Sequence, residues 1–556
     1  MVTPLNKQLS ILRRESEERE AQRRAGELGL DYVDLSKKAA EVDALKYVSE
    51  AEAKEARAVP LEERTKKIIL AVFDPRISAT HALINKLESK GFEVLVQICS
   101  LSALDHVWQG YKYITASVEE ITGVIKIGEV SLALAEENKR SLEATNKLIN
   151  HFDFTHQKIE ELLSIILAAA IATRASDIHF EPEEKVVRLR FRIDGILHDI
   201  VSDFSKEIYH YAVSRIKLLS KMKLNVEAES QDGRFTISLP NTKEDEVRVS
   251  IIPSEFGETI VLRVLFATAL DLSITDLGLR EDDLQIVQQE LKRPDGMILN
   301  TGPTGSGKTT TLYVFLRSKA TSEIKVVTIE KPIEYHLPGI EQTQVDEKAG
   351  YGFAEALKSI LRQDPDIILV GEINDEKTAE TAVQAALTGH LVFSTVHANN
   401  APAAIPRLLD LNVKPASIGP ALNLVIAQRL IRKLCDNCKV LVESNSELSL
   451  NFKRFSDNLP KRVIRINLET ATIFKAQGCE VCGGLGYKGR VGIFELFLVD
   501  TKVEEAIHSG GASESELLKL AKNQGMVSLQ QDGILKAMRG LTSLEEVETA
   551  TGPLIY

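Results

Sequence analysis

Aromatic residues are scarce in this 556-residue chain, at 5%, with a single tryptophan. Positive charge is also short: 68 Lys and Arg stand against 80 Asp and Glu, a net charge of -12. Single-stranded nucleic acid is held by basic grooves with aromatic stacking platforms, so both shortages point to no nucleic acid as a partner. Long apolar runs are missing. The longest, LLSIILAAAIA from Leu162, falls short of the roughly 18 residues of a membrane span and reads as a buried helix. No secretory leader is expected, because MVTPLNKQLSILRRESEERE is charged almost from its start. A cytoplasmic chain is expected. Only five cysteines occur, four of them in two close pairs with Cys99 alone. In a reducing compartment such pairs indicate metal before disulfide.

What is present is an ordinary globular composition, 44% hydrophobic and 27% charged. The length implies about three or four domains. The expected fold class is α/β. Residues 1–115 form a small N-terminal α/β domain: after a charged helix over 5–28, KKIILAVFD and FEVLVQIC read as strands around the helix ATHALINKLESKG. Residues 116–150 are expected to be a linker, with one polar helix from about Ser131 to Leu148. A second domain, 151–270, carries alternating strands such as VVRLRFRIDG, EVRVSIIP and ETIVLRVL, the first ending in a turn at Asp194-Gly195. In 271–499 the apolar runs GMILN, VVTI, IILV and LVFS are continuous, as in parallel strands buried on both faces. Residues 500–556 have a helical pattern.

Gly302, Pro303, Thr304, Gly305, Ser306, Gly307, Lys308 and Thr309 match G-x-x-x-x-G-K-[ST] in full, with Thr310 following. A strand-like run precedes the loop and a helical one follows it. Such a loop cradles phosphates on backbone N–H groups at a helix N-terminus. Lys308 is expected at the β- and γ-phosphates of ATP and the Thr309 hydroxyl on Mg²⁺. Glu330, Glu372 and His397 each follow an apolar run, so a parallel sheet brings all three to the edge that holds the phosphate loop. Glu372 is the candidate for orienting the attacking water. Glu330 and Glu334 either hold Mg²⁺ through waters or belong to a solvated surface. His397 either senses the γ-phosphate or is a satisfied core histidine. Asp364 and Asp366, at the wrong end of their strand, are read as structural.

Cys435, Cys438, Cys479 and Cys482 form C-x₂-C…C-x₂-C within an insertion over 434–490. Four thiolates suit one structural Zn²⁺ with no open position for catalysis.

ASDIHFEP, RIDG, QDGRF, EVRVS, GPTGSGKTTTLY, TIEKPIEY, LRQDPDIILVGEI, AETAVQAALTGHLVFSTVHANN, VIAQRLIRKLC and GYKGRVGIFEL together resemble the secretion ATPases of type II secretion and type IV pilus assembly. The resemblance runs from about His151 to the end. It implies a RecA-like P-loop ATPase domain preceded by a PAS-like α/β domain, assembled as a homohexamer with nucleotide between subunits. It also implies arginines supplied in trans, here Arg248 and Arg263. The N-terminal region resembles the latter part of a domain that docks on membrane-anchored assembly proteins. The implied activity is ATP hydrolysis acting on an inner-membrane platform protein, and through it on pilin-like subunits, for pilus assembly or alternatively type II secretion. The chain is then peripheral to the inner membrane. Two positions depart from the family pattern: Lys331 stands where an aspartate is usual and Asn374 where an arginine is usual. A RecA-like nucleic-acid translocase and a nucleotide-sensing scaffold without turnover are the rival readings.

Overall fold

The computed structural model describes residues 4–35, 42–45, 47–64, 66–108, 111, 123–139, 141–152, 159–240, 244–442, 446–465, 472–510 and 513–556. The expected boundary at 115–116 lies outside them. The chain divides into two compact units, one of Met1–Lys139 with Glu143–Val264, the other of Arg140–Leu142 with Leu265–Tyr556.

The first unit contains two sheets. Helix α1 (Pro4–Leu28) leads into β1 (Asp31–Tyr32), β2 (Ala58–Arg64), β3 (Lys67–Val72), α2 (Ser78–Ser89) and β4 (Glu93–Ile98), in the sheet order β1-β4-β3-β2. β3 and β4 are parallel, Lys67 opposite Glu93 through Val72 opposite Ile98, so the expected βαβ piece is present. The second sheet has the order β5-β9-β10-β11-β6-β7-β8. It begins with β5 (Val124–Lys126), which lies in the expected linker and pairs in parallel with a later strand. The linker helix is in fact two, α3 (Glu129–Asn138) and α4 (Leu142–Asn150). At the break the Asn138 amide bonds back to the Leu134 carbonyl at 2.8 Å, offering the backbone an alternative to continued helix. The apolar run is α5 (Ile159–Ala172), in which every residue from Leu162 to Ala170 is buried.

The remaining strands are β6 (Ala175–Pro182), β7 (Val187–Ile193), β8 (Ile196–Phe204), β9 (Gln231–Ser238), β10 (Asp245–Ser254) and β11 (Gly257–Leu265), with α6 (Lys206–Leu219) after β8. Both residues of the Asp194-Gly195 turn have positive φ, 48° and 91°, as a two-residue hairpin joining right-twisted strands requires. β7 alternates strictly between buried and half-buried, with Phe191 and Leu189 inside and Arg188, Arg190 and Arg192 on the wet face.

The second unit is built on one seven-stranded sheet, β14-β13-β15-β16-β12-β17-β20. Its strands are β12 (Gly296–Thr301), β13 (Val326–Glu330), β14 (Glu341–Gln344), β15 (Ile367–Val370), β16 (Leu391–Val396), β17 (Leu422–Leu434) and β20 (Tyr487–Leu498); β18 (Val440–Leu441) and β19 (Phe474–Lys475) form a separate pair. All neighbours in the large sheet are parallel except β17 and β20. β12, β13, β15 and β16 are buried at every residue, which accounts for the unbroken apolar runs. Helix α7 (Glu281–Glu290) precedes β12 and α8 (Lys308–Lys319) follows it. The tail is helical, with α9 (Thr501–His508), α10 (Glu514–Asn523), α11 (Leu529–Met538) and α12 (Leu544–Thr551). Each starts on a side-chain cap, from Asp500, Ser513, Ser528 and Ser543 in turn.

A buried ion network fastens that tail. Asp532 of α11, fully inaccessible, pairs with Lys536 at 2.6 Å and Arg280 at 3.1 Å and accepts the Phe494 N–H at 2.8 Å. Arg280 also pairs with Asp283 at 2.5 Å, and Arg462 reaches Asp283 at 2.8 Å. Removing the Asp532 carboxylate leaves buried Lys536 without its ion-pair partner and takes one of the carboxylates from buried Arg280. Asp532→Ala is therefore expected to cost about 3–5 kcal/mol, read from the denaturation midpoint of the full chain; a loss below about 1 kcal/mol would contradict the network's role.

Candidate nucleotide site and four-cysteine cluster

The parallel register places the site. Ile329, Val370, Ser394 and Leu299 lie in one row across β13, β15, β16 and β12. Each chain leaves the sheet within two residues of that row, at the same edge. Glu330 ends β13, Glu372 follows β15 by two residues, His397 follows β16 by one, and Gly302 follows β12 by one.

The loop Gly302–Gly307 turns tightly over β17. A Cβ on Gly302 would lie 2.4 Å from the Gln428 carbonyl, and one on Gly307 would lie 2.8 Å from the Gln428 amide nitrogen, so only glycine permits these approaches. Gly307, at φ 88°, sits at the N-cap of α8. The first helical residue, Lys308, donates from Nζ to the carbonyls of Gly302 at 2.8 Å and Pro303 at 3.0 Å. Burial pushes the Lys308 pKa down, and the negative charge of Glu372 opposes the shift, which couples the two side chains electrostatically. Pro303, Thr304, Gly305 and Thr309 are exposed, Thr310 is half-buried and Ser306 is buried. Beneath the loop, Gln428 accepts from Asn300 at 3.0 Å and from Thr311 at 2.9 Å.

Glu372 is half-buried on a clamped backbone. Gly371 N–H donates to Ile329 O at 2.8 Å, Thr395 Oγ1 donates to Gly371 O at 2.8 Å, and Ile373 N–H donates to Thr395 O at 2.9 Å. Glu330 is 3% exposed and its oxygens are occupied by protein donors: Tyr313 of α8 on Oε2, with Thr328 at 2.6 Å and Gln342 at 3.2 Å on Oε1. Burial, then the Glu330 charge, raises the Tyr313 pKa. Glu330 thus braces the helix behind the phosphate loop. Glu334 is half-buried, and His397 is exposed, so it is not a core histidine. Lys331 pairs with Glu347 at 2.5 Å and Asn374 is exposed. Asp366 accepts the Lys325 N–H at 2.6 Å, a structural bond.

In the first unit, Arg248 and Arg263 lie on the neighbouring strands β10 and β11. Arg263 Nε pairs with Asp177 at 2.8 Å, and Arg192 reaches the other oxygen of that buried carboxylate at 3.4 Å. Arg248 lies 3.9 Å from Glu246. Asp177, Gln428, Thr301 and Glu495 were not singled out by the sequence. The signal that marks two of them is a polar residue interrupting an apolar strand run, as Gln428 does in NLVIAQRL and Glu495 in GIFELFL.

The four cysteine sulfurs all lie within 4.8 Å of one another. Cys435–Cys479, Cys438–Cys482 and Cys479–Cys482 are each 3.8 Å apart, too far for a disulfide. A tetrahedral ion with Zn–S near 2.3 Å requires sulfur separations of about 3.8 Å, so the residues fit zinc. Backbone N–H groups of Gly486 and Cys479 point to Cys482 Sγ at 3.1 and 3.2 Å.

Residues 154–549 match the family model described as type II/IV secretion system protein, and residues 28–113 match the MshEN domain. The chain belongs to the type II/IV secretion system protein family. It is 37% identical to the type IV pilus assembly ATPase PilB of Myxococcus xanthus, over 94% of this chain and 89% of that one. It is 35% identical to PilB of Pseudomonas aeruginosa, over 95% and 89%. The type II secretion system ATPase E of Vibrio cholerae is 42% identical over 71% of this chain and 75% of its own. The Legionella pneumophila ATPase DotB shares the fold, with a TM-score of 0.51, 21% identity, and coverage of 70% and 95%. Within this family the chain is an ATP hydrolase of the P-loop class.

Lys308→Ala is expected to abolish ATP binding, and Glu372→Gln to retain binding while lowering kcat by roughly 10²-fold or more; an active Lys308→Ala enzyme would contradict the site. Elemental analysis of purified protein is expected to give one zinc per chain, falling in Cys479→Ser; zinc-free native protein would contradict the cluster's assignment.

Proposed function

We propose that this chain is the motor of type IV pilus assembly, a homohexamer at the cytoplasmic face of the inner membrane. The observation that carries the reading is coverage: the PilB relatives align along 94–95% of the chain, N-terminal region included, whereas the type II secretion relatives align along 71–86%. Residues 1–115 dock on membrane-anchored assembly proteins, 116–150 connect, 151–270 supply arginines, 271–499 hydrolyse ATP, and 500–556 complete the motor half. ATP would be held by Gly302–Thr310, with Lys308 at its phosphates and Thr309 at Mg²⁺. Bound Mg²⁺ neutralises charge on the phosphates.

Glu372 orients water, and its clamped backbone limits where that carboxylate can stand. Arg248 and Arg263 of a neighbouring subunit meet the charge on the transferring phosphoryl group, for which a planar guanidinium is suited. In this scheme Glu334 would help to hold Mg²⁺ and His397 would sense the γ-phosphate, while Glu330 acts through Tyr313. Work on the platform protein then draws pilin-like subunits into the filament. The 42% identity to the Vibrio ATPase, higher than to either PilB, favours type II secretion as the second reading.

Deletion of the gene in its host separates the two. Loss of surface pili with secretion intact is expected; lost secretion with pili kept would overturn the pilus assignment. In the assembled hexamer, Arg248→Ala is expected to lower kcat by roughly 10³-fold, and full activity would remove the trans role.

A further inference from the structure

The segment that carries His397 is held by two buried side chains outside the nucleotide motif. Thr301 is the last residue of β12 and immediately precedes Gly302. Its hydroxyl accepts the Ala398 N–H at 2.8 Å and donates to the Ala398 carbonyl at 2.9 Å. Three residues further on, the Ala401 N–H donates to Glu495 Oε2 at 2.8 Å. Glu495 lies on β20 and is 4% exposed. The N–H of Leu529, the first residue of α11, and the charge of Arg429 also act on this carboxylate and favour its ionised form. An anion at a helix N-terminus is favoured by the helix dipole. The preceding residue reinforces the link, since Phe494 N–H donates to Asp532 one turn into the same helix. A continuous chain of bonds therefore runs from the base of the phosphate loop, through the His397 segment, to the C-terminal helices.

We propose that Glu495 is a positioning residue that ties the His397-bearing segment to the first turn of α11, so that a change at the phosphate edge reaches the C-terminal helices. This rests on ATP occupying the Gly302–Thr310 loop. A buried carboxylate that accepts one backbone donor and attracts a second from another segment constrains their separation, because leaving a buried donor unpaired is costly. Glutamine at this position keeps the volume and one acceptor but turns an amide N–H₂ toward the second donor. Glu495→Gln should thus break one of the two links while sparing the packing.

The test uses the full-length hexamer. Nucleotide affinity, kcat, KM, and hydrogen exchange over 397–401 and 529–538 are measured with and without a non-hydrolysable ATP analogue. In the unmodified protein the analogue is expected to alter exchange in both segments. Glu495→Gln is expected to bind nucleotide within about threefold of the original. Its kcat should fall roughly 10- to 100-fold with KM little changed, and the response at 529–538 should vanish while protection of 302–310 persists. Unaltered kcat, or a full response at 529–538, would overturn the positioning role. Failure of the unmodified protein to protect 302–310 would instead overturn the ATP site beneath it. Should Glu495→Gln not fold, Leu529→Pro removes the second donor at a helix position that tolerates proline, and the same two outcomes decide.

Discussion

The parallel register of β13, β15, β16 and β12 constrains the rest of the second unit. Because Ile329, Val370, Ser394 and Leu299 share one row, four chain exits fall on one edge within a few residues of each other. A slip of one residue in any pair would turn its side chains to the other face of the sheet. Register is protected by side chains as well as by the ladder. Ser394 donates to the Val370 carbonyl at 2.7 Å and Thr395 to the Gly371 carbonyl at 2.8 Å, inside strands that are otherwise apolar. Lys308 and Glu372 interact electrostatically because the sheet delivers them to the same place, 64 residues apart in the chain.

Polar residues buried at that edge divide the labour. Glu330, Gln428 and Thr301 bond to protein, and each holds an element that borders the phosphate loop: α8 through Tyr313, Asn300 and Thr311 on either side of the loop, and Ala398. Glu372 and His397 stay more open to solvent. Rigid supports around exposed working groups are what electrostatic stabilisation of a transferring phosphoryl group demands, since the charges must already be in place when the bond breaks. The first unit shows a comparable arrangement, with buried Asp177 holding both Arg263 and Arg192 on the wet face of its sheet.

Much of this was legible in the sequence because it depends on local chemistry. The phosphate loop announces itself by glycines that only a close backbone approach requires, the buried strands by unbroken apolar runs, and the hairpin by Asp194-Gly195. Paired cysteines at 435, 438, 479 and 482 foretold the cluster. What could not be read depends on partners distant in the chain. β5 is three residues long and becomes a strand only by pairing with β9. Glu330 follows a strand just as Glu372 does, yet its role is set by Tyr313, 17 residues earlier on a helix that must first pack against the sheet. His397 was open between surface and core, since position after an apolar strand does not say which way the chain turns next.

The most direct test is a structure of the hexamer with a non-hydrolysable ATP analogue and Mg²⁺. The account predicts that Lys308 Nζ leaves the carbonyls of Gly302 and Pro303 for the β- and γ-phosphates, with Glu372 facing the γ-phosphate. Phosphates bound away from residues 302–310, or Lys308 still bonded to those two carbonyls beneath a bound nucleotide, would contradict it.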